Sequence, residues 1–252
     1  MTGISAVVIT KNEERNIARC LESVKGLVDE IIVVDSFSTD KTKEIAESFG
    51  AKFYEKEWQG YAGSKNLANS LASNKYILSL DADEEISSEL AEGIAQQTSN
   101  GLQGVYRMNR LSNYCGKWIK HCGWYPDPKF RLFPKEIASW EGDHVHETII
   151  FKEEPKITKL EGHILHYSYY SIEEHLQRIK KYSRLGALKL AEKNKTGGWL
   201  KAMYKSAARF ISCYIFRLGI LDGYYGWVIC KNTAYAIYLK YIYLNEIRKE
   251  KT

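Results

Sequence analysis

The sequence predicts an α/β protein: a mostly parallel sheet with helices on both faces, followed by a helical extension. Three observations predict it. Short β-branched apolar runs alternate with helical patterns in the front of the chain, polar residues gather where those runs end, and the charge divides between an acidic front and a basic rear.

Residues 4–9 (Ile-Ser-Ala-Val-Val-Ile) are short, β-branched and nearly all apolar, as a strand buried on both faces must be. Residues 12–24 place Ile17, Cys20, Leu21 and Val24 on one helical face, with Glu13 and Glu14 in a first turn that favours acids. Residues 30–35 repeat the strand pattern, and Ser38-Thr39-Asp40 caps a helix that runs to about Phe49 and stops at Gly50. A brief third strand at 52–54, a helix over 60–72 and a fourth strand over 76–80 follow, the last ending at Asp81; Ser87 and Ser88 open another helix.

Ligands of such sheets sit beyond the carboxyl ends of the strands. Polar residues collect there: Thr10 to Glu13 after the first strand, Asp35 to Asp40 after the second, Asp81 to Glu84 after the fourth. A nicotinamide or flavin site is excluded, because the first strand-helix turn reads Thr-Lys-Asn-Glu-Glu instead of GxGxxG; no GxxxxGK(S/T) phosphate loop exists either.

Asp81-Ala82-Asp83 stands directly after a buried strand. Carboxylates set so close repel unless solvent or a cation compensates, and alternate residues of a strand face the same way. Hard divalent cations such as Mg²⁺ or Mn²⁺ take few protein carboxylates and complete their shell with phosphate oxygens and water, so a metal-bridged diphosphate fits this pair. The alternative is that Asp83-Glu84-Glu85 merely decorates a helix N-terminus.

Four segments occur in order: Val-Ile-Thr-Lys-Asn-Glu-Glu, Val-Val-Asp35-Ser-Phe-Ser-Thr-Asp40, Gly63-Ser-Lys65-Asn66 and Leu80-Asp81-Ala-Asp83-Glu84. Together they closely resemble the family-2 inverting glycosyltransferases of the GT-A fold, over residues 4 to about 170. The resemblance implies a nucleotide-sugar donor, UDP-linked, and a divalent metal, Mn or Mg. It puts Thr10, Asn12 and Glu13 near the nucleoside, Asp35 on the base with Ser38 beside it, and Lys65 near the diphosphate or sugar. Asp81, with Ala82, falls at the ribose or a metal-bound water, and Asp83 on the metal. Read without the resemblance, Asp35 is equally a turn-forming Asp and Lys65 a solvated helix residue.

Residues 104–109 and 129–133 predict strands added antiparallel to the sheet. The loop between them carries Trp118, Trp124 and Tyr125, whose faces suit a sugar or a core equally. Trp140-Glu141-Gly142-Asp143-His144-Val145-His146-Glu147 then packs five ionisable groups into eight residues. Inverting transfer needs one general base and no second carboxylate nucleophile, and Glu147 is the first candidate, Asp143 the second. This segment, with the later Gly162-His163-Ile164-Leu165-His166-Tyr167, looks like the lipopolysaccharide-core glucosyltransferase subgroup. In that resemblance His146-Glu147 borders the acceptor, with Arg131 and Trp140 as acceptor or supporting residues. The wider likeness to GT-A enzymes, several of which complete the metal shell with a His from a later segment, implies that His166 joins Asp83 on the metal. The Glu-Asp pair common at the base position of the wider family has no obvious counterpart here. On a strand, His166 is alternatively a hydrogen-bonded structural residue.

From Arg178 onward 16 Lys and Arg stand against 4 Asp and Glu, a net of +12, while the preceding residues carry −7. Residues 171–252 form the basic, aromatic-rich region after a catalytic domain at 1–170. A Ser171-Ile-Glu-Glu174 capping box opens its first helix. Residues 199–216 align Leu200, Met203, Tyr204, Ala207, Phe210, Ile211 and Tyr214 on one stripe edged by Lys201, Lys205, Arg209 and Arg217, the profile of a helix in an anionic membrane interface. Packing on the domain with solvated lysines is the alternative. No signal peptide opens the chain and no run of apolar residues is long enough to span a bilayer, so the expected location is cytoplasmic, peripheral on the inner face of the membrane. Nucleic acid is disfavoured as a partner, since no binding module accompanies the charge. Five cysteines form no CxxC pair, and the spacing of Cys115, His121 and Cys122 does not suit a zinc knuckle.

The function these features support is sugar transfer from a nucleotide sugar to a glycan or lipid-linked acceptor in cell-envelope polysaccharide or lipopolysaccharide-core synthesis. A nucleotidyltransferase would show a Gly-rich basic loop after the first strand, which Thr10 to Glu14 lacks. A degenerate glycan-binding protein would have no need of Asp35, Asp81 and Asp83 together.

Overall fold

The computed structural model describes residues 3–142 and 147–249. They divide into two units, one built from residues up to 110 together with 127–166, the other from 111–126 together with the segment from 167 onward.

In the first unit β1 (Ile4–Thr10), β2 (Glu30–Asp35), β3 (Lys52–Glu55) and β4 (Tyr76–Asp81) lie parallel in the order β3-β2-β1-β4. The alternation of a strand divides β1 between two cores. Ala6 and Val8 join Ile17, Cys20, Leu21 and Val24 of α1 (Ile17–Val24) on one face. Val7 and Ile9 join Ala68 of α3 (Gly60–Leu71) on the other. Both faces of the sheet are therefore covered, which is why these strands read as unbroken apolar runs. α2 (Thr42–Ser48) and α4 (Ser88–Ser99) complete the helices of this unit.

The sheet continues antiparallel from β4 into β8 (Pro128–Pro134) and on to β6 (Val105–Tyr114), so the two expected additions are present. Beyond them lie β11 (Ile157–Tyr169) and β5 (Glu84–Ile86). β9 (Ala138–Glu141) and β10 (Thr148–Phe151) make a separate antiparallel pair.

Two local expectations are corrected. The first helix begins at Ile17, not at residue 12: Asn12 is left-handed at φ 53°, outside helical backbone geometry, and residues 12–14 are tied by their N–H groups to the neighbouring loop, Asn12 donating to Ser38 Oγ (2.7 Å), Glu13 to Thr42 Oγ1 (2.8 Å) and Glu14 to Asp40 Oδ2 (3.1 Å). The acids after Asp83 do not decorate a helix start. Glu84 and Glu85 belong to β5, paired antiparallel with β11, and α4 starts only after Ser87, whose Oγ accepts the Leu90 N–H.

In the second unit, α5 (Ile172–Glu192), α6 (Trp199–Ile211) and α7 (Gly223–Lys249) accompany β7 (Lys117–Ile119), which pairs with residues 112–114. Ser171 Oγ caps α5 at the Glu174 N–H (3.1 Å), while the Glu174 carboxylate reaches back to the Tyr170 N–H (2.9 Å). Tyr114, Ile119, Cys122, Cys213, Val228, Ile229 and Cys230 form the core. Tyr114 Oη lies 2.9 Å from His175 Nδ1. His121 pairs with Asp222 (3.0 Å), and among the described residues no three His, Cys, Asp or Glu converge to hold a metal.

The helix expected over 199–216 ends at Ile211 and gives way to a π turn (Ser212–Phe216) and a 3-10 turn (Gly219–Asp222). Its buried position is Ala202, while Leu200, Met203, Tyr204 and Ile211 of the apolar stripe are exposed. No described helix is long and apolar enough to cross a membrane.

Candidate active site

Parallel register sets Thr10 beside Asp35 and Ile9 beside Asp81, which lines up the ends of β2, β1 and β4. Asp35 is buried, and its two carboxylate oxygens accept the Ser38 backbone N–H and the Ser38 hydroxyl. Asn12 sits at φ 53°, and its Oδ1 accepts the Thr39 N–H (2.8 Å). Glu13 Oε2 accepts from Asn16 Nδ2 (2.7 Å). The first two strand-end loops are thus laced into one shelf before any ligand arrives. Buried in this shelf, Thr10 Oγ1 has no hydrogen-bond partner among the described residues.

Next to the shelf runs a chain of ions of strictly alternating sign. Glu147 Oε1 lies 3.0 Å from Lys65 Nζ, and Lys65 Nζ lies 2.9 Å from Asp81 Oδ1. Asp81 Oδ2 meets Arg131 Nη2 at 2.8 Å, and the same nitrogen meets Glu84 Oε1 at 2.7 Å. Glu84 contacts Arg110 (3.4 Å), Arg110 contacts Asp127 (2.9 Å), and Asp127 contacts Lys129 (2.8 Å). Lys65, Glu84 and Arg131 are almost wholly buried.

Burial alone would raise the Asp81 carboxyl and lower the Arg131 guanidinium. Their mutual attraction, with Lys65 and Glu84, outweighs it, so Asp81 is held well below the usual carboxylate range and Arg131 above its own. Both therefore stay charged throughout the physiological range.

Trp140 forms the floor. Its ring lies 4.6 Å from Lys65 Nζ and 6.0 Å from the Arg131 guanidinium carbon, both over the face that attracts cations. Asn66 pins it through two reciprocal 2.8 Å bonds to the Trp140 N–H and C=O. Lys65, Asp81, Arg110, Lys129, Arg131, Trp140 and Glu147 line a cavity of about 590 Å³.

The Asp81-Ala82-Asp83 run does not keep strand geometry. Ala82 and Asp83 form the turn between β4 and β5, and the Ala82 methyl is buried in the apolar core, so only its backbone remains for a ligand. The two acids consequently have different partners. Asp81 faces Lys65 and Arg131, whereas Asp83 Oδ2 lies 3.2 Å from His166 Nε2. Two donors at about 2.1 Å from an octahedral cation lie about 3 Å apart, so the partly exposed Asp83–His166 pair fits a small divalent ion with two protein ligands. Asp81, engaged by two cations, does not fit as a direct ligand. Asp143 and His146 lie outside the described residues.

Glu84, Arg110 and Asn66 escaped the sequence reading as site residues. One signal was available: Lys129 and Arg131 alternate within an otherwise apolar strand, and a buried cation demands an acid.

Residues 5–155 match the family model for glycosyl transferase family 2. An uncharacterised glycosyltransferase of Rickettsia typhi is 34% identical over 98% of this chain and 88% of its own length. The lipopolysaccharide core biosynthesis glycosyltransferase LpsC of Rhizobium meliloti is 28% identical over 86% of this chain and 82% of its own. Among solved structures, the glucosyl-3-phosphoglycerate synthase of Mycobacterium tuberculosis, in complex with Mn²⁺, UDP and glucosyl-3-phosphoglycerate, aligns over 44% of each chain at 23% identity and a TM-score of 0.36. A family match spanning more than half of the chain, with a relative similar along nearly all of it, settles the class: this chain belongs to glycosyl transferase family 2.

Proposed function

We propose that the enzyme transfers a hexose, with inversion, from a UDP-linked sugar to a glycan or lipid-linked acceptor of the lipopolysaccharide core or a related envelope polysaccharide. The observation that carries this reading is the row Thr10–Asp35–Asp81 at three adjacent strand ends, beside a cavity lined by Lys65, Arg131 and Glu147. Asp35, on its buried shelf, accepts a hydrogen bond from the base. Thr10, Asn12, Glu13 and Ser38 fix the shelf around the nucleoside, and the backbone at Ala82 faces the ribose.

Sugar transfer leaves negative charge on the departing diphosphate. Lys65 and Arg131, preorganised and desolvated, are the cations that would stabilise such charge with no rearrangement as it develops. Asp83 and His166 would hold a divalent cation, Mn²⁺ or Mg²⁺, that supplies Lewis acidity to the diphosphate when bound. On the acceptor side Glu147 opens onto the cavity and takes the proton of the attacking hydroxyl, with Asp143 the alternative base; Trp140 and His146 border the acceptor. The name of the Rhizobium relative supports a lipopolysaccharide-core acceptor.

Turnover of a panel of nucleotide sugars, with and without Mn²⁺, tests this. UDP-sugar consumption that needs the metal and yields the inverted anomer is expected. Absence of any nucleotide-sugar turnover, together with Mn²⁺ affinity unchanged in Asp83→Ala, would overturn it.

A further inference from the structure

Between α6 and α7 the chain turns with its apolar side chains outward. Ile215, Phe216, Leu218, Ile220, Leu221 and Tyr224 are each at least half exposed, Phe216 reaching 79%. Trp227, also exposed, stacks on Tyr224. Connections on a soluble surface are ordinarily polar, and a cluster of large exposed apolar residues marks an interaction site.

The exposure is built in. Asp222, the acid of this turn, is 3% exposed and accepts the His121 N–H (2.8 Å) and the Lys120 N–H (3.4 Å). Its carbonyl accepts from Lys117 Nζ (2.7 Å). Gly219 and Gly226 bring backbone against backbone, since a Cβ on Gly226 would lie 1.9 Å from the Gly219 carbonyl oxygen. Leu218 holds the left-handed conformation at φ 53°, which costs a side-chain-bearing residue free energy. The polar group and the glycines point in, and the apolar side chains are left pointing out.

The charge around the turn selects the partner. From residue 193 to 245 Asp222 is the sole acid, and it is buried, against eight Lys and Arg. Lys205, Arg217 and Lys231 are exposed, and Lys231 Nζ lies 4.8 Å from the Trp227 ring. We propose that residues 215–227 form a monotopic anchor that inserts into the interface of a bilayer containing anionic lipids, Phe216 and Leu221 entering the acyl region and Tyr224 and Trp227 at its boundary. Stable docking on a membrane takes an apolar insertion plus a basic surface: the segment supplies the first, and Arg217 within it with Lys205 and Lys231 on the flanking helices supply the second. The anchor does not depend on the donor or acceptor assigned above.

The test is flotation of the full chain with phosphatidylcholine vesicles, alone or mixed with phosphatidylglycerol. Salt-sensitive binding to the mixed vesicles is expected. Glu at both Phe216 and Leu221 (F216E/L221E) should lower the partition coefficient at least ~10-fold, because two buried apolar side chains are lost. Lys205→Gln with Lys231→Gln should weaken binding to mixed vesicles alone. Because a charged variant can misfold, wild-type protein is also measured against Trp227→Phe with bromine-labelled lipids, where the wild type should show the greater fluorescence quenching. Three results would overturn the proposal: no vesicle binding by the wild type, unchanged binding by folded F216E/L221E, or a lipid-free oligomer that this variant dissolves without any vesicle binding.

Discussion

Lys65, Asp81, Glu84 and Arg131 are buried or half-buried in the first unit as ions, each held by a neighbour of opposite sign. The second unit buries Tyr114, His175 and Asn232 around one another as neutral groups. Burial, with the Arg178 charge adding to it, lowers the His175 imidazole to about 4, and burial raises the Tyr114 phenol. Asp222 is the exception there, and it caps backbone N–H groups beside His121. Buried ion chains are poor stabilisers compared with apolar replacements, whereas hydrogen-bonded neutral groups cost far less to bury. The difference separates a buried region that keeps its charges from one that buries its polar groups neutral, and the first is the one expected to meet the charged donor proposed above.

The comparison breaks most visibly at Arg131. Replacing it by Met strands Asp81 and Glu84 without their shared cation and should cost about 3–5 kcal/mol in urea unfolding. A loss below about 1 kcal/mol would mean that the ions are solvated and the chain is not a buried network.

Glu147→Gln removes one charge from the end of the same chain and tests the general-base role proposed for it. Its kcat should fall by about 10²–10⁴-fold, with UDP affinity retained. Unchanged turnover would transfer the role of base to Asp143.

Acid should separate the two units along the pH axis. The folded His175 titrates near 4 instead of near 6.5, so the unfolded chain binds its proton first. That contribution is complete above pH 6.5 and is lost as the pH falls towards 4, for a cost of about 3 kcal/mol. Asp81 is depressed, so its contribution is present above the ordinary Asp value and is lost only in stronger acid. His175→Phe should flatten stability between pH 6.5 and 4 and leave the later acid loss in place; an unchanged slope would show that His175 is not the group responsible. The smallest effect is expected at Tyr114→Phe, about 1 kcal/mol for one hydroxyl contact with His175, measured by the same unfolding.

The parallel strands were legible because burial on both faces leaves no room for polar residues, and the strand ends were legible because polarity returns there abruptly. The acidic run at 83–85 was not. Glu84 lies inside the protein because Arg131 and Arg110 meet it, partners 47 and 26 residues away that local pattern does not reveal. The start of α1 misled for a related reason: Asn12 is held left-handed at φ 53° while its N–H and that of Glu14 bond a loop 26 residues on, a long-range arrangement that the acids near the helix start do not reveal. On α6 the apolar stripe was legible, but the face that packs inward holds Ala202 and Ser206, whose Oγ donates to the Ala234 carbonyl of α7, a partner distant in sequence.

If the ends of β1, β2 and β4 hold a nucleoside diphosphate, Asp35 should be needed for it. Calorimetric titration of UDP with Mn²⁺ into wild-type protein and into Asp35→Ala measures this. Saturable binding is expected, weakened about 10- to 100-fold by the loss of one charged hydrogen-bond acceptor. No UDP binding by the wild type, or equal affinity in the two proteins, would contradict the account.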